Sequence, residues 1–344
     1  MHPRIRNFPI EIFFCIADHF EPDHGNADPT RERARVTRWV DQYPRLCEKF
    51  ADSDGRPPRH TFFFPEEGYK PELLDGLAAL CARGLGDVEV HLHHDQDTPA
   101  ALADRLGVFT ETLFHRHGLL CRDRNGRITF GFVHGNWALD NARPDGRWCG
   151  VNNEITVLRE AGCYADFTLP AAPDASQTRT INSIYYAIDD PIRPRSHDVG
   201  IAARAGRAAP RDGLLIVQGP LTWDMRRRVW GILPGLENSA LDDSDAHLPT
   251  AARFNTWVNT AVGVEGRPEW IFVKVHTHGA PEGNASILLG PVMERFHAGI
   301  NHAFNDGQRY RLHYVTAYEM ATLVKAAELG LAGPPLTLLD EARL

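Results

Sequence analysis

The 344-residue sequence has no C-x-x-C pair; its six cysteines, Cys15, Cys47, Cys81, Cys121, Cys149 and Cys163, are scattered. Their spacing argues against a disulfide framework or a zinc ribbon and fits reduced thiols in a cytoplasmic setting. No stretch approaches the roughly 18 apolar residues of a membrane span, so membrane insertion is not expected. The amino-terminal MHPRIRNFPIEIFFCIAD begins with positive charge and a short apolar run, as a signal peptide would. The run is too short, lacks a small-residue cleavage site and ends in Asp18-His19, so it reads as the first strand. The patterns G-x-x-x-x-G-K-[ST], G-x-G-x-x-G after a strand, H-E-x-x-H and G-x-S-x-G are all missing. Nucleotide phosphate binding and serine-triad hydrolysis therefore have no local support. A basic excess is lacking too: 37 Lys and Arg face 45 Asp and Glu, for a formal charge of −8. This argues against nucleic acid and anionic membranes as main partners. Internal repeats, low-complexity tracts and an evident domain linker are also absent.

What the chain does have is a 43% apolar content, enough for a sizeable core, and 17 histidines that cluster. Short apolar, β-rich runs recur at 10–17, 60–65, 88–94, 128–135, 164–170, 213–221, 270–279 and 311–318. Helical patterns lie at 30–50, 71–83, 99–117, 152–161, 250–262, 287–304 and 318–329. Asp97-Thr98-Pro99 is a helix start, with a capping side chain ahead of a first-turn proline. Asn125-Gly126 predicts a hairpin turn within 119–133. Strand–helix alternation favours a parallel sheet covered by helices, and eight candidate strands favour a closed (β/α) barrel. The expectation is a single α/β barrel domain over 1–344, with long loop insertions around 171–212 and 232–249.

The chemistry gathers at strand ends. The first run ends in Asp18-His19, with Glu21 beyond; the second is followed by Glu66-Glu67; the third carries His91, His93, His94, Asp95 and Asp97. The fourth ends in His134-Gly135-Asn136-Trp137, the sixth contains Gln218, and the seventh holds Lys274, His276 and His278. In parallel barrels the active site is assembled on this face. Strand periodicity puts His91 and His93 on one side, and likewise Lys274, His276 and His278. If both sets face inward, their imidazoles converge, and histidine with carboxylate is the ligand chemistry of zinc and related divalent metals. For a single strand-end histidine, a hydrogen-bonded core role is the plain alternative. Tryptophans near polar loops, among them Trp137, Trp148 and Trp223, could stack on sugar faces or fill the core.

The stretches ADHFEP (17–22), HLHHDQDT (91–98), HGNWALDN (134–141), INSIYYAIDDP (181–191), IVQGPL (216–221) and KVHTHG (274–279), in this order, resemble the NodB-homology polysaccharide deacetylase superfamily. Within it, the chain is most similar to the WalW-type branch linked to lipopolysaccharide biosynthesis. The resemblance implies a distorted (β/α) barrel and metal-dependent removal of an acyl group, usually acetyl, from an N-acylated amino sugar. It implies Asp18 as base or ligand, with His19 or Glu21 available for the other role. It implies metal held by Asp18 and His93, completed by His91 or by Asp97, which stands four residues after His93. His276 would be the general acid, and His134, Asn136, Trp137 and His278 would contact substrate. The implied cofactor is a divalent metal, zinc foremost, and the implied partner a carbohydrate or other small molecule. The rival readings are a degenerate barrel that only binds carbohydrate and a hydrolase of a non-sugar amide.

Overall fold

In the computed structural model, which describes residues 8–229 and 231–344, the first apolar run becomes β1 (Ile10–His19). Ile12, Phe14 and Ile16 pack into one apolar layer and Phe13, Cys15 and Ala17 into another. A strand buried on both faces needs partners on both edges, and β1 has three, all parallel. These are β13 (Trp270–Thr277) along its length, β14 (Tyr310–Tyr314) beside Ile10–Phe14, and β2 (His60–Pro65) beside Ala17–His19. Between β2 and β13 the chain forms β3 (Gly86–Leu92), β4 (Cys121–Arg122), β5 (Ile128–His134), β6 (Cys163–Asp166), β7 (Ile184–Ile188), β8 (Ile201–Ala202), β9 (Gly213–Val217), β10 (Thr222–Val229), β11 (Leu233–Glu237) and β12 (Ala240–Leu241).

The main sheet runs β12-β13-β1-β2-β3-β5-β6-β9-β7-β8 and is mostly parallel. The hydrogen-bonded path is open between β12 and β8 among the described residues. The sheet is nevertheless strongly curved. On its concave face Phe63 of β2 meets Phe167, just after β6, with ring centroids 5.8 Å apart. Lys274 of β13 reaches across the same face, its Nζ donating to Phe167 O at 2.7 Å and Leu169 O at 2.6 Å.

Helices cover the convex face. In chain order they are α1 (Pro29–Cys47), α2 (Pro71–Ala82), α3 (Pro99–His117), α4 (Glu154–Ala161), α5 (Ala251–Thr260), α6 (Glu282–Leu288) and α7 (Pro291–Phe304). Then α8 (Ala317–Glu328), followed by α9 (Pro335–Glu341), packs into the inner apolar layer. The start of α3 is the sequence signal made physical: Thr98 Oγ1 accepts from Ala101 N at 3.3 Å, with Pro99 in the first turn. Such a cap stabilises a helix by about 1 kcal/mol.

All eight expected strand runs are present, with ends shifted by a few residues. The Asn125-Gly126 hairpin pairs β4 with β5. Two expectations change. The 171–212 stretch is not purely a loop insertion, because Ile184–Ile188 enters the main sheet antiparallel to β9. The 232–249 stretch supplies β11, which pairs with β10, and β12, which pairs with β13. The first-strand reading agrees from Ile10 onward; residues 1–7 lie outside the described residues. No described helix is long and apolar enough to cross a membrane.

Candidate metal centre

Strand parity decides which side chains meet. The odd-numbered residues of β1 face the concave side, so His19 follows Phe13, Cys15 and Ala17 there, and Glu21 lies just beyond. From β3, His91 and the following His93 arrive on the same side; from β13, Lys274, His276 and the following His278. Two three-residue groups result, Glu21 with His91 and His93 and Glu21 with His19 and His278, and each could hold a metal ion.

The tautomers are legible from the outer partners. His91 Nδ1–H donates to Val133 O at 2.8 Å, so in the neutral ring Nε2 carries a lone pair. That Nε2 is 3.1 Å from Glu21 Oε1. A lone pair facing a carboxylate oxygen is repulsive unless a proton or a cation lies between them. His93 Nδ1–H donates to Glu67, which likewise frees its Nε2, 3.7 Å from the same Glu21 oxygen. His278 Nε2 is 3.9 Å from it. His19 Nε2 is buried without any hydrogen-bond partner. The donors therefore gather around Glu21 Oε1 in two groups that share it, and a ligating histidine tied by its other nitrogen to a carboxylate or carbonyl is the usual outer arrangement of a metal site.

Electrostatics agree. Burial, reinforced by His278, His91 and His276, holds His19 well below its ordinary value and so neutral. Burial pushes the Glu21 carboxyl up, but the contacts with His24 and His91 outweigh it and keep Glu21 well below the usual carboxylate range. Burial lowers His278 against the pull of Glu21. In His93 burial is overcome by the Glu67 contact, and its pKa is raised.

The cluster meets, through His278, a cleft of about 430 Å³ whose wall also includes His24, Trp137, Asn238 and His276. The Trp137 ring lies 6.1 Å from His19 and 6.2 Å from His278. His276 has a sealed Nδ1 with no partner, which leaves Nε2 as the nitrogen that meets the cleft. Burial, with Lys274 and His278 nearby, keeps it well below its ordinary pKa. Gly135 makes the approach of the 135–137 turn feasible, since a Cβ there would sit 2.3 Å from His93 Cδ2. A larger recess, about 480 Å³ beside Arg127, Arg159 and Lys325, has none of these donors in its wall.

Several residues expected in the site are elsewhere. Asp18 is not brought to the cluster: as an even-numbered residue of β1 it faces the helices. Its Oδ2 accepts from His60 Nε2 at 2.8 Å and its Oδ1 from Gly279 N at 2.6 Å. Both oxygens are thus engaged in joining β1 to β2 and to the turn after β13. Asp97 is also separate from His93, because 93–97 is loop, with Gln96 in the left-handed region at φ 49°, so four-residue spacing does not align them. Asp97 Oδ2 instead lies 3.2 Å from His94 Nδ1. His134 points to the helix side, where its Nε2 is 2.8 Å from His94 Nε2 in a fully buried group with Cys149 and Glu154. Of the four expected substrate contacts, Trp137 and His278 line the cleft, while His134 and Asn136 are not among its wall residues. The sequence reading named Glu67 only as polarity after a strand and missed His24, Cys149 and Glu154. Glu67 carried a signal, a carboxylate one strand away from His93; the other three carried none.

Compared with protein-family models and with curated proteins, the chain matches none.

Proposed function

We propose that the chain is a metal-dependent hydrolase that removes an acyl group, acetyl foremost, from an N-acylated sugar or a related small amide, on a distorted (β/α) barrel. The observation that carries this reading is the convergence of imidazole nitrogens on Glu21 Oε1 beside a cleft whose wall His278 shares. The donor set, His19, Glu21, His91, His93 and His278, fits zinc or a similar divalent ion. When bound, such an ion supplies Lewis-acid polarisation and an acidified water.

The chain's own residues do the rest. Glu21 brings the negative charge that balances the ion, and Glu67 fixes the ring of His93. Trp137 and the neighbouring wall position the acyl group and exclude bulk water. With Asp18 turned away, the proton acceptor in the cleft is His276, which stands neutral. Its Nε2 takes the proton of the attacking water and then delivers it to the departing amine nitrogen, so one residue serves first as base and then as acid.

Asp18 also favours a second reading. The carboxylate base that the resemblance implies is absent from the cleft, as expected of a barrel that has kept sugar binding and lost turnover. Metal analysis of the purified protein, with acetate release measured on a panel of N-acetylated sugars, separates the two. The hydrolase reading expects a bound divalent ion and turnover, and His276→Ala should lower kcat by ~10²–10⁴-fold with metal content unchanged. A metal-free protein, or near-normal kcat in His276→Ala, overturns it.

A further inference from the structure

We propose that His94, His134, Cys149 and Glu154 form a second metal site, closed and structural, on the helix side of the sheet. Their donor atoms all lie within 4.8 Å of one another and all four residues are buried. They come from four places: the residue pair after β3, the end of β5, the irregular stretch before α4, and the first turn of α4.

The outer contacts select metal-facing atoms. His134 Nδ1–H donates to Gly135 O at 2.5 Å, which leaves the Nε2 lone pair pointing inward. That lone pair faces His94 Nε2 at 2.8 Å, and His94 Nε2 in turn faces Glu154 Oε1 at 3.0 Å. Glu154 commits its other oxygen to Asp140 N, 2.6 Å away, so Oε1 is the free one. Cys149 Sγ accepts from two backbone amides, Asn141 N at 3.3 Å and Val151 N at 3.4 Å. These amides favour the thiolate, but burial and the Glu154 carboxylate outweigh them and push the Cys149 thiol up, so it is a bound cation that would draw off the proton. One thiolate, one carboxylate and two neutral imidazoles neutralise a divalent cation and complete four-coordination, the pattern of closed zinc sites. Asp97 stands behind His94, its Oδ2 3.2 Å from Nδ1 but out of hydrogen-bonding geometry, so both atoms are buried without a partner.

The competing occupant is a proton: a charged His94 could share Nε2–H between His134 and Glu154. In that arrangement Cys149 stays a thiol, its Sγ donating to Glu154 Oε2 at 3.4 Å, and no thiolate forms; this difference is testable. Cobalt(II) is exchanged into the purified full-length protein and its near-ultraviolet thiolate-to-cobalt charge-transfer absorption recorded, alongside metal per chain. The expected result is the thiolate band in the wild type and in Glu21→Gln, and its loss in Cys149→Ser with one ion fewer per chain. Wild-type protein that takes up cobalt without a thiolate band, or Cys149→Ser with an undiminished ion count, overturns the site. If Cys149→Ser does not fold, the wild-type band decides alone. Loss of the ion in Glu21→Gln with the band retained separates this site from the cleft.

Discussion

His93 and His94 are adjacent in the chain and go to opposite sides of the sheet. Around His93 the side chains remain partly open: His93 and His278 keep 32% and 28% of their side-chain surface exposed. Around His94 nothing is open: His94, His134 and Glu154 keep 1%, 0% and 0%. The two groups draw on the same ligand types, yet enclosure gives them different capacities. An open cluster with an empty side toward a cleft can accept water and a carbonyl. A sealed one, with Glu154 and His134 tied by their outer atoms to backbone and no side turned to solvent, can only hold its elements together. The step that separates them falls just past the end of β3, where the chain leaves the strand and turns His94 away from the side that His91 and His93 share.

The comparison is tested most strongly at Glu67, which bonds His93 of the open group and contacts none of the four sealed residues directly. Glu67→Gln keeps the size but removes the charge that pulls on the His93 Nδ1 proton. Changes of this outer kind cost ~10–100-fold in metal affinity or activity. Metal titration of the variant should show weakened binding at one site per chain and an unaltered second site. Equal weakening at both, or at neither, would dissolve the distinction between open and sealed groups.

Much of this arrangement was legible in the sequence, and the gaps have physical causes. The alternation of β3 and β13 correctly put His91 with His93 and His276 with His278. It also put Lys274 on that side, but could not show that its amine would be spent on two backbone carbonyls deeper in the sheet, where burial lowers its pKa to about 8. On β1, parity gave no direction. Both faces of that strand are apolar, so Asp18 and His19 were equally plausible as the inward residue. The choice of Asp18 followed the resemblance, and the structure gives that side to His19 and Glu21. The sealed group was invisible for a different reason. Cys149 comes from a stretch without helical or strand period, turned by positive φ at Asp140, Asn141 and Trp148, and no spacing rule links it to His94.

Asp18 sets the next test, with a smaller effect expected. Asp18→Asn keeps the shape but offers one acceptor oxygen where two donors, His60 and Gly279 N, are now satisfied. Leaving one buried donor unpaired costs about 1–3 kcal/mol. The melting temperature should fall while metal per chain stays the same and turnover changes by no more than a few fold. A stable protein that has lost its open-site metal would return Asp18 to the ligand set and place the boundary between the groups wrongly.

The smallest effect on either group is expected from His313, which provides a stability baseline for both. It lies beside Phe13 of β1, six residues and so roughly 20 Å from His19 at the usual strand rise. Its Nδ1 and Nε2 contact Asp54 at 2.6 Å and Glu11 at 2.7 Å; Arg56 and Arg311 are the neighbouring cations of those carboxylates. Burial lowers its pKa, but Asp54 and Glu11 outweigh burial and raise it to about 9. The folded protein thus favours the charged ring, whereas the unfolded chain titrates near 6.5. The stabilisation is fully present below pH about 6.5 and is lost as the pH rises through about 9, an amount on the order of 3 kcal/mol. His313→Gln should be less stable than the wild type at pH about 6, lose that pH dependence, and approach wild-type stability at pH about 10. Urea unfolding at the two pH values measures this, with metal content as the companion reading. Both metal groups should stay loaded in the variant at pH about 7; release of either would show that the two ends of the sheet are coupled. An unchanged pH slope in the variant would remove His313 as its source.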